Sequence, residues 1–198
     1  LRLLSAVALH LGLPADWFTP AVAEGNSVLR LLHYPPVTGD TARDGAIRAG
    51  AHEDINLITL LLGAEEAGLE ILDRDGQWMA VEPAPGGLSV NVGDMLQRLT
   101  NNRLRSTTHR VRNPLGARSH HSRYAMPFFV HLRSDFEIRT LPGCIDAAHP
   151  DLALQRLDPL LRGRHVLEHS NREATGFHCS HQHLYPAWFI PAGASATE

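Results

Sequence analysis

His52 and Asp54 stand two positions apart in AHEDINLITLLL, and a lone His109 follows 55 residues after the aspartate in STTHRVRNP. Two imidazoles and one carboxylate on one face of a metal form the arrangement that holds iron(II) and leaves positions open for a co-substrate and dioxygen. A His-x-Asp pair arises easily by chance, and 13 histidines make a downstream partner easy to find. Spacing alone therefore says little, and the elements that mount these residues must decide.

Residues two apart on a strand project from the same face. The run Ile55 to Leu62 after the pair is apolar and β-branched enough to be that strand. Ser106 to Val111 reads as a second strand around His109. The expectation is a triad mounted on two strands of one scaffold, the rigid support that a metal site needs.

With these motifs in place the chain resembles the iron(II)- and 2-oxoglutarate-dependent oxygenases of the isopenicillin N synthase-like group. From about Leu1 to Cys144 it carries LRLLHYPP, HEDINLITLLL, GLEILDRDGQW, NVGDMLQRLTNN, RSTTHRV and RYAMPFF in that family's order. The resemblance implies that His52, Asp54 and His109 hold iron, that Arg123 pairs with the distal carboxylate of 2-oxoglutarate, and that Tyr34 donates its hydroxyl to it. It also implies oxidative decarboxylation to succinate and carbon dioxide at the expense of dioxygen, with oxidation of a substrate C–H bond, hydroxylation being the default. Independently of the family, a guanidinium is a permanent planar fork of donors suited to a carboxylate. Arg123 lies 14 residues after His109, beyond a turn at Asn113 to Gly116, which predicts the neighbouring strand and the same cavity.

Two positions depart from the family. Its Arg-x-Ser is here Arg123-Tyr124-Ala125, and Leu32 stands where relatives often carry Asn. A lost hydrogen bond to a charged group costs about 1.5 to 3 kcal/mol, which predicts a co-substrate held roughly ten- to a hundredfold more weakly unless Tyr34 or a water compensates.

The chain has 198 residues, 43% hydrophobic and 20% charged, enough for a core of ordinary size. A formal charge of -3 without basic runs offers no field for nucleic acid or an anionic membrane, so a small-molecule substrate is expected. No segment has the unbroken apolar length of a membrane span. Cys144 and Cys179 are too few for a disulfide framework, which suits a reducing cytoplasm. Arg2 before LLSAVALHLGL imitates a signal peptide. His10 interrupts that run, however, and apolar residues at 1, 4, 7, 8 and 11 form the stripe of an amphipathic helix. The sequence lacks an initiating Met and the N-terminal domain usual in the family, so it is expected to be a fragment carrying the catalytic core.

Strands are predicted at Ser27 to Leu32, Leu57 to Leu62, Leu69 to Leu72, Gln77 to Val81, Leu88 to Val92, Arg105 to Val111, Arg123 to Val130 and Phe136 to Thr140, with a helix at Gly93 to Thr100. Many short strands with turns between them mean a mainly β protein with flanking helices. The resemblance narrows this to the double-stranded β-helix, a cupin-like jelly roll, over residues 1–144. Residues 145–198 read as a C-terminal extension, with a helix near Leu152 to Leu161 and then a tail expected to be disordered. His178, Cys179, His181 and His183 in that tail lack zinc-site spacing.

Asn91, Gly93 and Asp94 read as a strand-to-helix turn with Asp94 as N-cap, and Asn101 with Asn102 as a turn. His120, His121 and His131 read as surface or strand residues. Asn56, Leu57, Leu104 and Phe129 are candidates for facing substrate. Three alternatives stay open: a same-fold iron(II) oxidase that does not use 2-oxoglutarate, an inactive metal-binding jelly roll, and a zinc hydrolase. The last lacks a placed general base, since Glu53 would point away from the metal.

Overall fold

The computed structural model describes residues 1–37, 47–62, 68–82, 86–113 and 119–151 and the backbone of 188–191. Two antiparallel sheets face one another. The larger has the order β6-β3-β8-β1-β9, from β1 (Val28–Tyr34), β3 (Ile58–Leu62), β6 (Leu88–Val92), β8 (Arg123–Val130) and β9 (Trp188–Pro191). The smaller has the order β2-β7-β4-β5, from β2 (Ile47–His52), β4 (Leu69–Leu72), β5 (Trp78–Ala80) and β7 (His109–Arg112). The chain alternates between sheets, as a jelly roll requires. β1, β3, β6 and β8 are separated in sequence by strands of the other sheet, so each crossing is a place where a loop can reach the interior.

Register shows which side chains face inward. Thr59 lies opposite Asn91 on β6 and Phe129 on β8. Direct partners share a face and the alternation has period two, so Phe129, Pro127, Ala125 and Arg123 share one side of β8. Tyr34 and Leu32 sit opposite Arg123 and Ala125. These residues line the space between the sheets, and much of that lining is polar.

The apolar core lies elsewhere. The opposite face of the larger sheet, with Ile58, Leu60, Val92, Phe128 and Val130, packs under the helices α1 (Arg2–His10), α2 (Thr19–Val22) and α3 (Asp94–Leu99). Leu4 and Ala8 of α1 and Met95, Leu96 and Leu99 of α3 are buried there. Of the stripe predicted for the N-terminal helix, Leu4, Val7, Ala8 and Leu11 pack here, while Leu1 is exposed. Away from the helices the same sheet face is open, with Leu31, Leu62, Leu88, Val90 and Met126 exposed. No helix among the described residues is long and apolar enough to cross a membrane.

The strands at Leu69–Leu72, Leu88–Val92 and Arg123–Val130 begin and end where predicted. Phe136 to Thr140 does not form a strand; Glu137 makes a single bridge, and the alternating Phe136 and Ile138 instead anchor a loop into the helical core. β2 is an addition, because IRAGAH, with two Ala and a Gly, has little β-propensity. Helix α3 starts one residue later than predicted, with Gly93 as N-cap and no side-chain cap bond from Asp94. Of the C-terminal extension, the strand Trp188–Pro191 was not expected; it pairs with β1. The helix predicted near Leu152 to Leu161 and the cluster His178, Cys179, His181 and His183 lie outside the described residues.

Candidate metal centre and co-substrate pocket

His52 closes β2 and His109 opens β7, and the two are direct partners across that pair of strands. Their rings stand 4.3 Å apart, centroid to centroid. Asp54 is not on the strand that follows it. It sits in the crossing from β2 to β3, and that crossing brings its carboxylate from the larger sheet's side toward the two imidazoles. Its Oδ1 is 3.9 Å from His52 Nε2 and 3.8 Å from His109 Nε2. One donor atom from each of the three residues lies within 4.8 Å of the others. The expectation that one strand carries both His52 and Asp54 is therefore corrected: β2 ends at His52, and β3 belongs to the opposite sheet.

The atoms left over are fixed by the protein. His52 Nδ1 is 2.7 Å from the carbonyl of Gly50, and His109 Nδ1 is 2.9 Å from the carbonyl of Thr107. A carbonyl can only accept, so both Nδ1 atoms carry the proton and both Nε2 lone pairs face Asp54. Asp54 Oδ2 accepts from Thr59 Oγ1 at 2.6 Å and from Asn91 Nδ2 at 2.8 Å, which leaves Oδ1 toward the imidazoles. Asn56, fully buried, donates in turn to Thr59 Oγ1 at 2.9 Å and to the Ile58 carbonyl at 3.0 Å. Such outer partners orient ligands and set their tautomers.

Helix α3 holds the crossing in place. The backbone N–H of Asp94 donates to the Asp54 carbonyl at 2.8 Å, and that of Gly93 to the Leu57 carbonyl at 3.0 Å. A Cβ on Gly93 would collide with the carbonyl and side-chain oxygens of Asn56, so the close approach demands glycine. Asn91 and Gly93, read from sequence as an ordinary turn, are the frame of the carboxylate. The signals were present as polar Thr59 in an otherwise apolar strand and Asn91 between two valines.

The donor set fits a divalent ion. Donors about 2.0–2.2 Å from one ion stand roughly 3 Å apart at right angles, and the two Asp54–imidazole separations of 3.9 and 3.8 Å are within an ångström of that, with all three donors within 4.8 Å of one another. Asp54 is 7% exposed and His109 14%, while His52 is the open member at 48%. Partial burial, and next the neighbouring His109, hold the His52 pKa below the ordinary imidazole value. A neutral ring is the form that binds metal.

Arg123, 2% exposed, and Tyr34 are opposite one another on β8 and β1, with the guanidinium carbon 5.2 Å from the phenol ring centroid. Arg123 is not on the strand next to β7, as its spacing from His109 predicted; β8 pairs with β1 and β3 in the other sheet. Leu32 and Ala125, the two departures from the family, are also direct cross-strand partners, one pair further along.

The other candidates separate clearly. Asn56 and Leu57 are fully buried, Leu57 in the helical core, so neither faces substrate, and Leu104 packs against the same core. Phe129 does line the interior, under the guanidinium of Arg30 at 5.2 Å. Asn101 and Asn102 take positive φ of 53° and 62° and form the predicted turn. His131 is partly buried after β8, with its Nδ1 buried and without a hydrogen-bond partner among the described residues. Glu53 accepts from Thr108 Oγ1 at 2.8 Å on the exposed side.

Comparison with known proteins gives the family of this chain. The sequence model described as "2OG-Fe(II) oxygenase superfamily" matches residues 25–132. A 2OG-Fe(II) oxygenase family protein of Caulobacter crescentus of known structure is 53% identical with a TM-score of 0.75, over 86% of this chain and 53% of that one. A Neurospora crassa protein, solved at full length in complex with alpha-KG and thymine, is 30% identical with a TM-score of 0.75, over 88% and 52%. The 2-oxoglutarate-Fe(II) type oxidoreductase hxnY of Emericella nidulans is 35% identical over 86% of this chain and 48% of its own length. The chain spans about half the length of these relatives. The matched region holds the triad, Tyr34 and Arg123 alike, and the chain belongs to the 2OG-Fe(II) oxygenase superfamily.

Proposed function

We propose that this protein is an iron(II)- and 2-oxoglutarate-dependent dioxygenase that hydroxylates a small organic molecule. The observation that carries the reading is the convergence of His52 Nε2, His109 Nε2 and Asp54 Oδ1, each with its other polar atom engaged by protein. Three donors on one side leave the opposite side of an ion open, as a chelating co-substrate and dioxygen require. In this reading Arg123 and Tyr34 bind the distal carboxylate of 2-oxoglutarate. Bound iron and 2-oxoglutarate supply the chemistry: dioxygen gives one oxygen atom to the substrate C–H and one to succinate, with release of carbon dioxide.

The protein's own residues do three things. Gly50 and Thr107 fix the imidazole tautomers, so no proton has to move before the metal binds. Thr59 and Asn91 orient the carboxylate from behind. The sheet-to-sheet enclosure of Arg123 limits water around the co-substrate, where a guanidinium pair with a carboxylate is strongest. Relatives solved with small molecules such as thymine support a substrate of that size. The free Cys144 thiol supports a reducing setting, and we place the protein in the cytoplasm.

Anaerobic addition of iron(II) and 2-oxoglutarate tests the reading. A weak visible charge-transfer band lost in His52→Ala, together with succinate formation in air, is expected. Iron binding without the band or succinate would overturn it. That outcome would favour the same-fold oxidase that does without 2-oxoglutarate, the reading toward which the apolar pair Leu32 and Ala125 leans.

A further inference from the structure

Arg48 is the charged residue of β2, and it is buried, only 6% exposed. β2 lies in the smaller sheet, whereas Tyr34 and Arg123 lie in the larger one. The Arg48 side chain bridges the gap between them. Its Nη2 donates to the carbonyl of Pro35 at 3.3 Å and to that of His121 at 3.4 Å, the residues just after Tyr34 and just before the start of β8. Its guanidinium carbon stands 5.7 Å from the centroid of the Tyr34 ring, and that of Arg123 stands 5.2 Å from the same centroid. Two buried guanidiniums, one from each sheet, thus rest against one phenol.

We propose that Arg48 is a second cationic contact for the distal carboxylate of the co-substrate, supplied from the opposite sheet. The inference rests on the 2-oxoglutarate reading above and deepens it. Two features of the chain make a second cation useful here. Leu32 and Ala125 face each other across β1 and β8, so the hydroxyl and amide lost at those positions have no polar neighbour within that pair to replace them. The wall carrying Arg123 is therefore less polar than the family pattern, and the remaining contact must come from elsewhere. Arg48 reaches that end of the interior from the facing wall. A guanidinium keeps its charge at any working pH and presents several parallel donors, so it can complement a carboxylate already held by Arg123 from another side. Arg48 is in this sense a specificity residue. It favours a 2-oxoacid with a second carboxylate over one without.

The test compares anaerobic dissociation constants, read from the iron(II) charge-transfer band, for 2-oxoglutarate and for 2-oxobutyrate, which lacks the distal carboxylate. Arg48→Gln is expected to weaken 2-oxoglutarate on the order of tenfold or more, which corresponds to one charged contact, while leaving 2-oxobutyrate within about twofold. Arg48→Lys keeps the charge but loses the fork. It should fall between, and it gives the same ratio of constants if Arg48→Gln does not fold. An unchanged 2-oxoglutarate constant, or equal weakening of both acids, overturns the proposal, the second result making Arg48 a wall residue that shapes the cavity. Failure of the underlying reading looks different: the unsubstituted protein would then bind 2-oxoglutarate no better than 2-oxobutyrate, or give no band with either.

Discussion

Thr59 and Asn91 do for Asp54 what the carbonyls of Gly50 and Thr107 do for the two imidazoles: they occupy the atom that should not face the metal. Hydrogen-bond partners of this kind are worth roughly ten- to a hundredfold in metal affinity. Thr59→Val keeps the shape and removes the donor, and Asn91→Leu removes the other. Each is expected to weaken iron(II) about tenfold in an anaerobic titration, with the fold intact by circular dichroism. No change in either variant would mean that Asp54 is oriented by its backbone alone. His131 gives a second prediction at this scale. Burial, and then the positive charge of Arg30, lower its pKa from 6.5 to about 4. Its neutral form is favoured in the folded state, so between those two values the unfolded chain binds more protons. The stability from this group is complete above pH 6.5 and is lost as pH falls toward 4, on the order of 2 kcal/mol once partial exposure is discounted. Urea unfolding of the metal-free protein at pH 7 and pH 5 checks it. The difference should shrink in His131→Leu, and His52, lowered in the same direction, accounts for part of what remains.

At the scale of elements, the junction of β6 and α3 is a clamp on the β2–β3 crossing. Gly93 has no room for a methyl group against Asn56, and overpacking of this kind costs about 1–3 kcal/mol. Gly93→Ala should lower the urea midpoint and also weaken iron(II), because the displaced Asn56 supports Thr59 and through it Asp54. A loss of stability without loss of metal affinity would separate the clamp from the site. The β1–β8 ladder gives the complementary prediction. Leu32 and Ala125 are direct partners, so Leu32→Asn and Ala125→Ser restore polar groups in contact with each other as well as with the pocket. The pair together should tighten 2-oxoglutarate roughly tenfold, and a double-mutant cycle should show coupling beyond the sum of the singles. Additive effects would mean that the two positions act on the ligand separately.

For the whole molecule, a metal held by the triad would be a rivet between sheets. His52 and His109 belong to the smaller sheet, and Asp54 is braced by Thr59 and Asn91 of the larger one. An ion that binds all three therefore binds only the folded arrangement. At a hundred times its dissociation constant such a ligand adds about 2.7 kcal/mol. Iron(II), or manganese(II) as an air-stable substitute, should raise the unfolding midpoint by several degrees, chelation should reverse the gain, and Asp54→Ala should abolish it. The location of the core fits this division of labour. Apolar packing is concentrated between the larger sheet and the helices, which leaves the space between the sheets free for polar groups that would otherwise cost stability. The open apolar stretch with Leu31, Leu62, Leu88, Val90 and Met126 shows where the helical cover ends.

How much of this was legible in the chain depends on the range of the interaction. The ordered motifs that carry the family resemblance singled out His52, Asp54, His109, Tyr34 and Arg123, while the strands at Leu69–Leu72, Leu88–Val92 and Arg123–Val130 and most of the stripe of the first helix follow from local residue types and spacing, which tertiary contacts here only reinforce. Tertiary structure alone decided that β2 and β3 lie in different sheets, and hence that Asp54 reaches the imidazoles from a crossing. It also decided that Arg123 faces the interior from the wall opposite His109. It turned Thr59, Asn91 and Gly93 from a plain strand and turn into the brace of a carboxylate, paired Leu32 with Ala125, and brought Arg48 to Tyr34 across the interior. Strand pairing between segments distant in sequence sets these neighbours, and a period-two pattern reports only which face a residue occupies, never which strand lies beside it.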